Sequence, residues 1–248
     1  MMKVLASDFD GTLSQNGFYD EKREAIKRWR SKGNVLAIVS GRCAENLITL
    51  PIEHSFECDY LLAHNGAVVM KTDGTIISKN VCDGSIVVPL MKLMFESGCT
   101  YADVGTSFPC KICADITESR ADEGIYCLND LPNIQSFTQI STMCKDCDTA
   151  KNIAFIIKKH FGDVLNPLQN GAFIDIVRAD INKAKGIYIL MDFLGARYKD
   201  VITVGDNVND TDMIAEFKSY AMANGVDSIK ALADDTVSDV SELIEKEI

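Results

Sequence analysis

The chain is poor in several things that would decide its class. It has three histidines, one tryptophan and five prolines in 248 residues, and its 25 Lys and Arg are outnumbered by 36 Asp and Glu, a formal net charge of -11. A protein that grips a phosphate backbone needs a basic face to displace counterions, so this balance argues against nucleic acid. No apolar stretch approaches the roughly 18 residues that a membrane helix requires. The opening "MMKVLASDFD" carries one Lys, a short apolar run and then acids, and so lacks the apolar core of a secretory signal. The expectation is a cytoplasmic protein with no nucleic-acid and no membrane partner, its oligomeric state unread. Nine cysteines, an odd count, are then read as reduced thiols rather than a disulfide framework. Internal repeats and low-complexity tracts are also missing.

Hydrophobic residues, at 47%, are sufficient for one large domain or two modest ones. Two cysteine pairs have ligand-like spacing, Cys110 with Cys113 and Cys144 with Cys147. They stand too far apart for the usual zinc arrangement and have no His beside them, so small buried thiols are the preferred reading over a metal or redox site.

The first 70 residues alternate strand and helix. "KVLAS" is followed by a helical stretch "DEKREAIKRWRSKG", with Asp20 as its cap, Ile26 and Trp29 on its apolar face and Gly33 as its stop. The runs "VLAIV" and "DYLLA" follow, around a short helix near "AENLITL". The last 65 residues resume this rhythm with a helix from about Lys183 to Leu194, the run "VITV", the turn "GDNVND", a helix through Met213 and Phe217, the run "YAMA" and a final helix. Apolar runs bounded by turns and separated by helices predict a parallel sheet covered on both faces. The predicted fold is α/β, a doubly wound Rossmann-like core from residues 1–81 and 182–248, interrupted by an inserted α+β unit over 82–181. Within the insert, one helix carries Ile86, Leu90, Leu93 and Met94, a second carries Ile153, Ile156, Ile157 and Phe161, and "GAFIDIVR" reads as a strand.

The chemistry concentrates where strands end. Open α/β sheets bind ligands outside the carboxyl ends of their strands. "VLA" runs into Asp8 and Asp10, "VLAIV" into Ser40 and Gly41, "DYLLA" into Asn65 and Gly66, and "VITV" into Gly205, Asp206, Asn209 and Asp210. Three or four carboxylates in one crevice repel one another unless a cation intervenes, and oxygen ligands without His or Cys select a hard divalent ion such as Mg2+. A Lys at the start of the helix near 183, with the Ser40 hydroxyl, supplies donors for a phosphoryl group. The residues alone therefore predict a Mg2+-dependent phosphoryl-transfer site.

"DFDGTL", "VSGR", a downstream Lys and "GDNVND" together resemble the four motifs of the haloacid dehalogenase superfamily of phosphatases. "NGA" and "AMANG" resemble its Cof-type branch, which has an inserted type IIB cap. The resemblance implies Asp8 as a nucleophile that forms an aspartyl-phosphate, and Asp10 as general acid and then base. It implies a Mg2+ ion held by Asp8, the Asp10 backbone carbonyl and Asp206, supported by Asn209 and Asp210. Ser40, Gly11, Gly41, Lys183 and Asn209 would bind the phosphoryl group, and Gly11 and Thr12 would hold the loop. The motif Lys is usually followed by Gly, whereas "NKAKGI" offers Lys183 and Lys185; counting on from "IDIV" puts Lys183 in register. An acid at position 10 suits hydrolysis of the acyl-phosphate.

Each residue also has a plainer reading. Asp8 alone is a turn acid, Ser40 a turn residue, and Asn209 and Asp210 a helix cap. His64 reads as a structural hydrogen-bonder, and Arg42 as a salt-bridge or capping residue with substrate contact as the lesser reading. The combined expectation is a phosphatase of small phosphorylated metabolites, either sugar phosphates or nucleotide and cofactor phosphates. Its alternatives are a phosphomutase or phosphotransferase of the same fold, and a non-enzymatic metabolite-binding protein.

Overall fold

The computed structural model describes residues 2–248. They form two compact units, one made of the segment ending at Ser78 together with Asn182–Ile248, the other of Lys79–Ile181. In the first segment lie β1 (Val4–Ser7), α1 (Asp20–Ser31), β2 (Val35–Val39), α2 (Ala44–Glu53), β3 (Tyr60–Ala63), β4 (Val68–Lys71) and β5 (Ile76–Lys79). The inserted unit holds β6 (Cys82–Asp83), α3 (Val87–Glu96), β7 (Tyr101–Val104), β8 (Lys111–Cys113), β9 (Ile125–Cys127), β10 (Ser136–Phe137), β11 (Ile140–Met143), α4 (Cys147–Phe161), β12 (Leu165–Asn170) and β13 (Phe173–Arg178). The chain then returns through α5 (Lys183–Leu194), β14 (Val201–Gly205), α6 (Thr211–Glu216), β15 (Lys218–Met222), α7 (Asp227–Leu232), β16 (Asp235–Val237) and α8 (Val240–Glu247).

The core unit is built on one eight-stranded sheet in the order β16-β15-β14-β1-β2-β3-β4-β5. β1 lies at its centre, parallel to β14 on one side and β2 on the other. Successive side chains of a strand face opposite ways, and β1 shows it. Leu5 joins a cluster with Ile26 and Trp29 of α1, Leu47 of α2 and Leu243 of α8. Val4 and Ala6 join another with Ile187 and Leu190 of α5 and Met213 of α6. Both faces are covered by helices, so these strands read as continuous apolar runs rather than alternating ones.

The structure departs from the expected pattern in three places. The sheet is not wholly parallel, because β4 runs antiparallel to β3. Only the turn His64–Gly66 with Ala67 joins them, far short of the dozen or more residues that a parallel crossover needs. Asp20 is the first residue of α1 rather than its cap, Tyr19 holding the cap position. Phe217 lies just beyond α6, extended and leading into β15.

The inserted unit has its own six-stranded sheet, ordered β12-β13-β11-β7-β8-β9, and its own apolar cluster. Leu90 and Met94 of α3 and Ile153 and Ile157 of α4 pack there with Ile112, Ile140, Ile174 and Ile176 from the strands. Among the described residues no helix is long and apolar enough to cross a membrane.

Candidate active site

The site grows from the end of β1. Asp8 continues the ladder, its N–H donating to Val204 O at 3.0 Å, and the chain then winds into a tight turn over Phe9–Leu13. Gly11 makes that turn possible: its φ is +79°, and a Cβ there would lie 2.5 Å from Asp206 Oδ2. Only glycine tolerates both demands. The turn is held from several sides. Thr12 Oγ1 donates to Asp206 Oδ1 at 2.7 Å, and Asn224 Nδ2 donates to Gly11 O at 2.9 Å. Lys22, fully buried, donates to Leu13 O at 3.0 Å and Gln15 O at 2.6 Å and pairs with Asp239 at 2.9 Å. Phe9 packs against Phe18, Phe56 and His54 beneath the turn.

A second close approach brings Lys183 in. His64 and Asn65 both have positive φ, and Gly66 follows with φ +93°. A Cβ on Gly66 would lie 2.6 Å from Asn182 O, and one on Gly186 would lie 2.6 Å from the Gly66 Cα. Two glycines face to face thus let the first turn of α5 press against the end of β3. Asn182 caps α5 by accepting from Lys185 N at 2.8 Å, and the first helical residue, Lys183, is wholly buried. Its Nζ lies 2.6 Å from Asp8 Oδ1 and 2.5 Å from Asp210 Oδ1. Lys185 is exposed.

Asp210 is shared further. Its Oδ2 accepts from the backbone N–H groups of Asp206 and Asn207 at 2.9 and 3.0 Å, closing a capping box with Asn207 at the turn Val208–Asp210. The capping partner is therefore Asn207, not Asn209; Asn209 is half-buried within the turn. Ser40 is buried at the end of β2, where its Oγ accepts from Arg42 N at 3.2 Å and its backbone carbonyl accepts from Asn65 N at 2.9 Å. Gly41, beside it, is half-buried.

Electrostatically the centre is overloaded with acid. Oxygens of Asp8, Asp206 and Asp210 lie within 4.8 Å of one another. Burial, with the Asp210 and Asp206 carboxylates adding to it, holds the Asp8 carboxyl well above its usual range against the pull of Lys183. Asp206 is raised for the same reasons, burial first, offset by the Thr12 hydrogen bond. Burial works against the charge on Lys183, but Asp210 and Asp8 outweigh it and hold the ammonium well above the ordinary lysine range. One ammonium thus faces three carboxylates, and their donor atoms are all hard oxygens. This set fits a divalent cation. Among the described residues it is the one His, Cys, Asp and Glu group so placed, and none of the cysteine pairs forms one.

Asp10 is set apart from this cluster. Its side chain is half exposed and is held by Arg42, whose Nε and Nη2 donate to the two carboxylate oxygens at 2.7 and 2.6 Å.

The sequence profile of the haloacid dehalogenase-like hydrolases matches residues 5–242, and the chain belongs to that family. It is an enzyme of the phosphatase class. A "Putative phosphatase" of Buchnera aphidicola subsp. Schizaphis graminum is 24% identical over 93% of this chain and 87% of its own. Another "Putative phosphatase", from Mycoplasma pneumoniae, is 27% identical over 91% and 88%. Among solved structures, a haloacid dehalogenase-like hydrolase from B. subtilis superposes with a TM-score of 0.82 at 17% identity, covering 100% of both chains. A HAD subclass IIB sugar phosphatase does so with a TM-score of 0.79 at 19% identity, covering 98% of each. These two likenesses are ones of fold.

Proposed function

We propose that the protein is a Mg2+-dependent phosphatase of small phosphorylated metabolites that works through an aspartyl-phosphate on Asp8. The observation that carries the reading is the buried Asp8 carboxylate, held by Lys183 beside Asp206 and Asp210. A structural turn acid has no use for such a setting, which leaves carboxylates crowded around one ammonium at a cost of several kcal/mol per buried ion.

Asp8, Asp206 and the Asp10 backbone carbonyl would hold the ion, with Asp210 and Asn209 supporting them. A bound Mg2+ would offset the surplus carboxylate charge and that of the phosphoryl oxygens. In the first step an Asp8 oxygen forms a bond to phosphorus as the ester P–O bond breaks; the electron pair leaves with the alcohol oxygen, which takes a proton from the Asp10 carboxyl. In the second step water attacks that phosphorus, Asp10 takes the water's proton, and the bond to Asp8 breaks, releasing inorganic phosphate. Ser40 Oγ already accepts one hydrogen bond, which leaves its proton for a phosphoryl oxygen. The Gly11 and Gly41 backbone, Asn209 and Lys183 complete the phosphoryl cradle, Lys183 opposing the charge that develops there.

The inserted unit is read as the part that selects the substrate, because the reacting groups all belong to the core. A sugar phosphate is the first class to try, since a similarly folded protein is a sugar phosphatase. The test is phosphate release from a panel of sugar, nucleotide and cofactor phosphates, with Mg2+ and with EDTA. Mg2+-dependent release abolished by Asp8→Asn supports the reading. Binding without release across the panel overturns it in favour of a metabolite-binding protein, and transfer to an added alcohol or sugar in place of water marks a phosphotransferase.

A further inference from the structure

Arg42 does more than neutralise a surface acid. Its guanidinium donates to both oxygens of Asp10, a bidentate fork that fixes direction as well as distance. The fork itself is braced. The Arg42 guanidinium lies over the Phe9 ring, 5.4 Å from its centroid, and Phe9 is a buried residue of the nucleophile turn. Its backbone N–H donates to Ser40 Oγ at 3.2 Å, and its carbonyl accepts from His64 N at 2.9 Å. One residue therefore ties the Asp10 side chain to the end of β2 and to the strained turn after β3. Asp10 stands at φ -77° and ψ 121°, next to the left-handed Gly11, and projects a short, half-exposed side chain. Such a side chain would turn freely without a partner.

We propose that Arg42 is the positioning residue for Asp10, holding its carboxyl group in the one orientation from which it serves the leaving oxygen. This rests on the acid/base role given to Asp10 above. A lysine is no substitute, since an ammonium is a point charge and cannot set the plane of a carboxylate. Two requirements follow. The fork must release one carboxyl oxygen when Asp10 carries its proton, and removal of the fork must hurt proton delivery more than attack by Asp8.

Leaving groups separate these two effects. An alkyl phosphate such as glycerol phosphate expels an alkoxide that needs a proton, whereas p-nitrophenyl phosphate expels an anion that is stable without one. The experiment measures kcat and KM on both esters, with Mg2+, for the wild type, Asp10→Asn, Arg42→Met and Arg42→Lys, with thermal melting of each to confirm folding. General acid catalysis contributes about 10²- to 10⁴-fold, so Arg42→Met is expected to lose on the order of 10²-fold in kcat on the alkyl ester and only a few-fold on the nitrophenyl ester. Arg42→Lys should fall between Arg42→Met and the wild type with the same bias, and KM should move little in either. If Asp10→Asn discriminates between the esters while both Arg42 variants lose equally on the two, or lose little on either, the assignment of Arg42 is overturned and the Asp10 reading stands. If Asp10→Asn itself shows no discrimination, the acid/base reading fails first and the role of Arg42 falls with it.

Discussion

The two units bury very different things. In the core, Asp8, Lys22, Lys183, Asp210, Asp239 and Glu247 are charged and buried. The buried polar residues of the inserted unit are Thr138, Gln139 and Thr142, all uncharged. It instead holds seven of the nine cysteines, five of them buried within it or at its cluster's edge. Burial raises the thiols of Cys82 and Cys110 to about 11 and that of Cys144 to about 12, so they stay protonated and act as small apolar groups. A unit without buried charge needs only good packing to fold. One that buries two acids against a lysine, with a half-buried third beside them, gives up stability there.

Substitutions can break or sharpen that contrast. The largest effect belongs to the core: Asp8→Ala should reduce phosphate release to background in a steady-state assay, while Cys144→Ala in the insert should leave turnover of a generic phosphate ester intact. Next comes Lys183→Met, which strips the cation from two buried carboxylates. Loss of one partner of a buried pair costs about 3–5 kcal/mol, and urea unfolding should show it, together with loss of activity. Lys185→Ala, at an exposed position two residues on, should change stability by less than about 0.5 kcal/mol and leave activity unchanged.

Ile153→Ala probes the other side of the comparison. Ile153 is buried in the inserted unit's cluster, and its truncation should cost about 2–5 kcal/mol there. Hydrogen exchange should lose protection within Lys79–Ile181 and keep it in β1 and β14. Gly11→Ala forces a left-handed residue and pushes on Asp206; the backbone alone costs roughly 1–2 kcal/mol, with Mg2+ affinity falling alongside.

A subtler effect is a slope. The Asp8 carboxyl is held above its usual 3.8, so the metal-free folded state binds that proton more tightly than the unfolded chain does. This contribution is complete below 3.8 and is lost as pH rises through the folded value, by up to about 1.4 kcal/mol per pH unit while the two states differ by one proton. Metal-free Asp8→Asn should lose the Asp8 part of the slope, leaving the part that the likewise raised Asp206 contributes, and melt higher than the wild type at neutral pH. Mg2+ should recover stability in the wild type by mass action, about 2.7 kcal/mol at one hundred times its Kd.

Much of this was legible in one dimension, and the exceptions are instructive. The strands β1, β2, β3 and β14 stand out because each is a largely apolar run that gives way to a turn bearing polar residues, and α5 runs over Lys183–Leu194 as expected. The antiparallel β4 was hidden, since an apolar run has no direction of its own and only the shortness of the turn before it decides. One signal could have been read further. Gly186 inside a helical stretch marks a close approach, and it turns out to face Gly66. The Arg42–Asp10 fork left no such signal, because the two residues lie 32 positions apart and either has many plausible partners.

The sequence by itself determined which groups the fold would gather: acids at strand ends, a serine and a lysine, in an order and spacing that resemble a phosphoryl-transfer site. That information survives in one dimension because buried parallel strands stop at turns and the turn residues must be polar. The tertiary structure decided how those groups divide the charge. It gave Lys183 jointly to Asp8 and Asp210, bound Asp206 to Thr12, and left Asp10 to Arg42. Such choices depend on distances of a few ångströms between segments far apart in the chain, and those distances exist only once the sheet has brought its strand ends together.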